Sequence, residues 1–364
     1  MAGIFIDCEC IIAFIRFTGL VYGVVRVHSM DRLSEAKWSV HAGLVRLAAA
    51  APDALASEAA ALLRDDYAAH ASHPVNDLSG PEEAVARWWR PLATSFRHLQ
   101  RTHGMVAAGE FNGSTMVGVL GHYRGTFSAD FLGIPATHKP AWLRFGELHR
   151  VEDGRIAESW MLPDLLDLMR QAGVWPLAPS LGAEAAWPAP GGPVAAYDAV
   201  DREGGQASLD LVLAMHAGLG SFDGRALASM DHARHWAPGF AWYGPAGIGT
   251  AFGLDGFETV HQIPFLIAFP DRKGGQHVAR MGDGPCVVTG GWPSVTATHT
   301  GDGFLGLPAS GRKVGMRVMD FYRCDNGLIA ENWVPIDVIH LLLQMGYDVF
   351  ARLAHLRGNP RTSL

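Results

Sequence analysis

The sequence predicts an α+β fold laid down twice in tandem, each copy a few helices followed by antiparallel strands and one terminal helix, so that a curved sheet wraps a helix. Three observations carry this reading. Without gaps, residues 133–173 match residues 306–346 at an offset of 173, pairing Arg150 with Arg323, Glu158 with Glu331, Trp160 with Trp333 and Asp164 with Asp337. Solenoid and propeller periods run to roughly 20 to 50 residues, so the copied unit is a whole domain. In each half a helical period gives way to short β-type runs before a last helix. Between the halves, residues 175–205 hold many prolines and glycines, including WPAPGGP, and no periodic apolar pattern. The division that follows is an uncertain extension at 1–30, a first domain at 31–178, a linker at 179–205, a second domain at 206–354 and a tail at 355–364.

In chain order, residues 31–70 are Ala-rich with Leu44, Leu47, Leu55, Leu62 and Leu63 at helical spacings, and Pro52 with Asp53 divides them into two helices. After the polar loop HASHPVNDLSGP, residues 82–100 place Val85, Trp88, Trp89, Leu92, Phe96 and Leu99 on one helical stripe. Pro91 should kink that helix or end its first part. From Gly104 the runs MVAAGEF and TMVGVLGHYRGTF flank Asn112-Gly113, a hairpin signal. Strands at 142–151 and 156–162 meet at an Asp153-Gly154 turn, and a helix at 163–172 ends at Gly173. The second half offers a helix at 208–218, a Gly-rich loop at 242–256, a short helix at 257–269, and strands near 277–281, 285–290 and 294–300 before the repeat closes it.

Composition excludes several classes. A chain of 364 residues at roughly 100 to 200 per domain gives two or three domains. A net charge of −7 without a basic stripe speaks against nucleic acid, whose phosphates need neutralising. Cys8, Cys10, Cys286 and Cys324 form neither a disulfide framework nor a zinc pair, which favours a reducing, cytoplasmic setting. Residues 4–27 are apolar, yet Asp7, Glu9, Arg16 and Arg26 interrupt them, and a charge at the bilayer centre costs about 3 kcal/mol. They read as an unstructured extension or a stretch ahead of the native start at Met30, with a membrane or partner-binding helix as the alternative.

The run G-[IL]-P-A-x(12)-x-R-x-x-[DN]-G-x-I-x-E-x-W-x-x-x-D occurs at 133–164 and again at 306–337. It resembles the signature end of SnoaL-like polyketide cyclases, members of the NTF2-like superfamily. The resemblance implies two cone-shaped α+β barrels in tandem, each with an apolar cavity of the kind that takes a small hydrophobic molecule. It implies cofactor-free aldol chemistry in which a carboxylate removes a proton α to a carbonyl, and neither metal nor organic cofactor. It also implies pairing through the sheets, either as a homodimer or as an intramolecular pseudo-dimer of the two domains.

At the position of the family's acid/base Asp this chain has Met161 in the first half and Val334 in the second, and neither moves a proton. At a second polar pocket position it has Glu147 and Asp320. Strand alternation then lets Asp320, Tyr322 and Asn332 converge, with Val334 on the same face. His299, near the place of a family pocket His, pairs with His122 in the first half. The catalytic candidates are thus Asp320, His299 and Asn332. The substrate-binding candidates are Tyr322, Val334, Trp292, His277, Arg280, His261, Trp242 and Tyr243, and the first-domain pocket would hold His122, Glu147, Ser159 and Met161.

Each has a plainer structural role beside it. Asp320 would anchor Arg317 or Arg323, His299 would close a strand end against a loop, and Asp164 and Asp337 would cap helices. His277 and Arg280 have opposite strand parity, so at most one should enter a pocket. The run WYGPAGIGTAFG lacks the βαβ setting of a nucleotide site and suits a mobile flap. No HExxH or comparable spacing supports a metal. The second half is the better-equipped pocket. Its expected activity is cyclisation, isomerisation or dehydration of a hydrophobic carbonyl or polyketide-like compound, and the rival is a pair of non-catalytic small-molecule-binding domains.

Overall fold

The computed structural model describes residues 30–191 and 198–358, and within 4–27 only the backbone of five short strand segments. The N-terminal extension, expected as unstructured or as a helix, is described only as those strand segments, and most of the tail lies outside the described residues. Among the described residues no helix is long and apolar enough to cross a membrane.

Asp31 opens the first domain by capping α1 (Arg32–Ala49), its carboxylate accepting the backbone N–H of Leu33 and Ser34. Helix α1 buries Val40, Leu44 and Leu47, and α2 (Leu55–Leu62) follows it. The helical reading fails from Leu63 onward. There the chain extends as β1 (Leu63–Ala71), burying Leu63, Tyr67, Ala69 and Ala71 while Asp65 and Asp66 stay exposed. Local propensity in this Ala-rich stretch is overridden by pairing with a strand some 90 residues away, which no local pattern encodes.

After β2 (Asp77–Ser79), a helix is assembled from α3 (Gly80–Ala84), a π-turn at Val85–Trp89 and α4 (Arg90–Ser95). The widened turn precedes Pro91, whose ring would strike the carbonyl four residues back in a regular helix. The chain then turns straight into β3 (Phe96–Phe111), followed by β4 (Ser114–Phe127), β5 (Pro140–Glu152) and β6 (Arg155–Pro163). The sheet order is β2-β1-β6-β5-β4-β3, antiparallel except for the parallel pair β1/β6. Both predicted hairpin turns have positive φ at both central residues, Asn112-Gly113 at 50° and 76° and Asp153-Gly154 at 50° and 75°. Asp164 caps α5 (Leu165–Gln171).

The expected linker is not loose. Ala183 bridges to Thr250, and the buried Trp187 donates its indole N–H to the Gly244 carbonyl at 3.1 Å. The second domain begins with α6 (Arg202–Gly220) and continues with β7 (Trp236–Tyr243) and β8 (Thr250–Phe252). Consequently WYGPAGIGTAFG is no flap: it is a strand end, a turn and a second strand, buried throughout 241–251. Next come α7 (Gly253–Phe257), a π-turn at Glu258–Gln262 and α8 (Ile263–Ala268), with Pro264 standing where Pro91 stands in the first copy. The remaining elements are β9 (Lys273–Gly274), β10 (His277–Asp283), β11 (Cys286–Thr298), β12 (Lys313–Asp325), β13 (Leu328–Trp333), α9 (Val338–Met345) and α10 (Val349–Leu356). The sheet runs β8-β7-β13-β12-β11, and both β9 and β10 pair along the far edge of β11.

Each sheet curls around its own helices, and the two convex faces meet. Met105, Leu148 and Trp160 from the first sheet share one buried cluster with Met281, Val288, Phe321 and Trp333 from the second. Glycines permit the approach, since a Cβ on Gly146 would lie 2.4 Å from Pro335 Cγ and one on Gly118 would lie 2.9 Å from Val288 Cγ1.

Candidate active site

The concave interiors of the two copies, equivalent by descent, have opposite contents. In the first domain aromatic rings fill the cone. Trp88 lies 6.2 Å from Tyr123 and 5.7 Å from Phe131, Tyr123 lies 4.8 Å from Phe145, and the Arg101 guanidinium stacks 4.1 Å above Phe145. Arg101 pairs with Glu147 at 2.6 Å, and both are buried. Glu147 also lies 3.2 Å from His149 Nε2, and His149 Nδ1 lies 2.8 Å from the Ser159 hydroxyl. Burial alone would raise the Glu147 pKa, but Arg101 and His149 outweigh it and hold the carboxyl well below the usual range. This is a sealed, ionised core.

The expected first-domain pocket is therefore corrected. Glu147 and Ser159 are locked in that network, and Met161 belongs to the apolar core. His122 pairs across the strands with Arg144 on the sheet's other face, and its pKa is lowered to about 4 by burial and then by Arg144. Arg144 repeats as Arg317, and Arg317 stacks 4.7 Å from Trp292, so the counterpart of His122 is Trp292 rather than His299.

The second domain keeps the cone open, with a cavity of about 970 Å³. His261 stands where Trp88 stands and Val318 where Phe145 stands, and both replacements remove bulk. Asp320 is the only carboxylate among the described residues lining the cavity. Burial pushes its pKa up to about 6 against the hydrogen bonds of Asn332 and Tyr322. The Asn332 amide N–H donates to Asp320 Oδ1 at 3.4 Å. Burial, then Asp320, raises the Tyr322 hydroxyl well above its ordinary value, so it keeps its proton as a donor.

Sequence reasoning missed His216 of α6, whose Nε2 lies 3.0 Å from the Tyr322 hydroxyl and whose pKa falls to about 4 through burial, His277 and Arg280. A signal was present: Leu209, Val212, His216 and Leu219 share one helical stripe, so an imidazole sits on an apolar face. The other predicted residues divide cleanly. Tyr322, Asn332, Val334, Trp242 and His261 line the cavity, with His261 stacked on Trp242 at 4.4 Å. Both His277 and Arg280 line it too, contrary to parity, because the β10/β11 register shifts between His277 and Ala279 and the bulge returns both to one face.

Three predicted residues face elsewhere. Tyr243 follows Trp242 on β7 and so points to the convex side, where it stacks on Trp333 at 5.0 Å. Trp292 lies on that side against Arg317 and 6.4 Å from His70 of the first domain. His299 does not reach the cavity. It is fully buried beside Phe269 at 5.3 Å, its Nδ1 accepts the Ser310 N–H at 3.3 Å, and it closes a strand end against the loop before β12.

A family model for SnoaL-like polyketide cyclases matches residues 45–172 and again 224–345. The chain belongs to the SnoaL-like polyketide cyclase family, with two copies of its domain in tandem. Among solved structures it is similar to a candidate SnoaL-like polyketide cyclase from Jannaschia sp. CCS1, at 19% identity and a TM-score of 0.33, over 39% of this chain and 95% of that one. IdmH from Streptomyces antibioticus matches at 22% identity and a TM-score of 0.31, over 38% of this chain and 99% of that one. TsrD from Streptomyces laurentii matches at 24% identity and a TM-score of 0.32, over 40% and 98%. No curated protein matches the chain.

Proposed function

We propose that the second domain catalyses cofactor-free proton transfer on a small apolar carbonyl or polyketide-like compound, with Asp320 as the base. The observation that carries this reading is Asp320, the single carboxylate among the described residues of a mostly apolar cavity, its pKa raised by burial to about 6, close to a working pH. Asp320 takes a proton from the carbon α to a carbonyl, and the C–H electron pair moves onto the carbonyl oxygen as an enolate. The Tyr322 hydroxyl and the Asn332 amide supply the hydrogen bonds that such an oxygen needs. The enolate carbon then attacks an internal carbonyl and closes a ring, is reprotonated elsewhere, or expels hydroxide. In each case the proton on Asp320 returns to the product or leaves with water.

The same reading makes the first domain a structural partner within one chain, supported by the buried cluster shared by the convex faces. The buried free thiols Cys286 and Cys324 support a cytoplasmic setting.

The test needs no knowledge of the natural substrate. In D2O, the α-protons of 2-tetralone should exchange faster with the protein than in buffer, as followed by NMR, and Asp320→Asn should lower that rate by about 100-fold or more. Equal exchange by both proteins removes Asp320 from the mechanism. Saturable binding without exchange would favour the non-catalytic alternative.

A further inference from the structure

Along the same cavity wall as Asp320, two strands away, stands a positive charge without an ion-pair partner among the described residues. Asp320 pairs with Thr289 and Thr289 with Arg280 across β12, β11 and β10, so the three share one row and one face of the sheet. Two strand spacings separate the backbones of Asp320 and Arg280 by roughly 10 Å. One guanidinium nitrogen of Arg280 donates to His277 Nδ1 at 2.9 Å, which fixes the group, while its Nε is buried without a hydrogen-bond partner.

Arginines buried elsewhere in the fold are matched. Arg101, Arg144, Arg317 and Arg323 each pair with a carboxylate, whereas none lies in ion-pair range of Arg280 among the described residues. The two imidazoles beside it offer no negative charge, and burial, then Arg280 among their neighbours, lowers the pKa of each. Arg225, Arg272 and Lys273 add further positive charge to the lining. A half-buried guanidinium with a buried, unused N–H is well placed to meet an anionic oxygen.

We propose that Arg280, held by His277, is a carboxylate subsite, and that the natural substrate is an apolar carbonyl compound carrying a free carboxylate about one bicyclic body away from the carbon that Asp320 deprotonates. This deepens the proposed reaction by naming its substrate class, and it is tested by binding alone.

Quenching of the cavity tryptophans Trp236 and Trp242 reports occupancy by 2-naphthoate and by its methyl ester. The wild-type protein should bind the acid about tenfold or more tightly than the ester, as expected for a hydrogen bond to a charged group. Arg280→Met should erase that preference while leaving ester affinity within about twofold, which also shows that the variant is folded, and Arg280→Lys should retain part of it. Equal binding of acid and ester to the wild type overturns the inference. So does equal weakening of both ligands by Arg280→Met, or loss of the preference in Arg272→Met or Lys273→Met but not in Arg280→Met. A retained preference beside α-proton exchange insensitive to Asp320 would keep the subsite and remove the proposed reaction, and the reverse pair of results would do the opposite.

Discussion

Asp337 of the second domain accepts the backbone N–H of His73 in the first at 3.0 Å. The reciprocal bond exists: Asp164 accepts the N–H of Ala246 at 2.9 Å, and both partners are displaced by the same 173 residues. Each Asp also caps its own helix and binds an arginine, Arg144 at 2.9 Å from Asp164 and Arg317 at 3.0 Å from Asp337. One carboxylate per domain thus ties together a helix start, a sheet and the opposite domain.

Asp337→Ala removes all three connections and leaves Arg317 without its anion. We expect a loss of about 3–5 kcal/mol in urea unfolding, the range for one partner removed from a buried pair. Asp337→Asn keeps the cap acceptor and should lose less. A change below about 1 kcal/mol for the alanine variant would mean that the pair contributes no more than a surface contact.

Asp320 should make stability and activity run in opposite directions with pH. Its folded-state pKa, raised from 3.8 to about 6, means that the folded chain holds this proton to higher pH than the unfolded chain. Stability therefore falls as pH rises from about 4 to about 6, by on the order of 3 kcal/mol, and is flat above that window. Proton abstraction needs the carboxylate, so its rate should climb through pH 6 and then level. Asp320→Asn should be inactive in exchange yet more stable than the wild type at pH 7.5. Lower stability for this variant at that pH would contradict the burial argument.

What the sequence revealed depended on whether each signal was local. The glycine turns and the caps at Asp164 and Asp337 follow from spacing within single elements, and the repeat and the convergence of Asp320, Tyr322 and Asn332 from regular spacing along the chain and across one short hairpin. Strand β1 did not show itself, because its Ala-rich residues are extended only through pairing with β6. The bulge between His277 and Ala279 reversed a parity argument that assumed a regular strand. His299 was misplaced because loop lengths differ between the copies. Nor did Glu147 announce its ion pair, since the arginine that neutralises it comes from a strand 46 residues earlier.

The buried pair itself supplies another prediction. Glu147→Gln leaves Arg101 charged and enclosed by Tyr123 and Phe145, at a cost of about 3–5 kcal/mol. Replacing both partners, Arg101→Met with Glu147→Leu, should recover most of that loss, because two desolvated charges disappear together. Thermal unfolding of the wild type and the two variants checks this. A double variant as unstable as the single one would show that the cluster is needed for shape as well as for charge balance.

The closeness of the two sheets can be tested at positions that touch no ligand. A methyl at Gly146 would meet Pro335 Cγ at 2.4 Å and Phe321 Cε2 at 2.8 Å, and neither a proline ring nor a fully buried phenylalanine moves aside readily. At Gly118 the same methyl meets Val288 Cγ1 at 2.9 Å and Met281 Cε at 3.0 Å, and methionine is the more yielding neighbour. At Gly239 nothing lies within 4 Å. Gly146→Ala should therefore cost about 1–3 kcal/mol by overpacking, Gly118→Ala less, and Gly239→Ala nothing or a slight gain from reduced unfolded-state freedom. Because the strain at Gly146 falls between the domains rather than inside one, its variant should also separate a single urea transition into two. Equal effects at all three glycines would show that backbone conformation, not the meeting of the sheets, selects them.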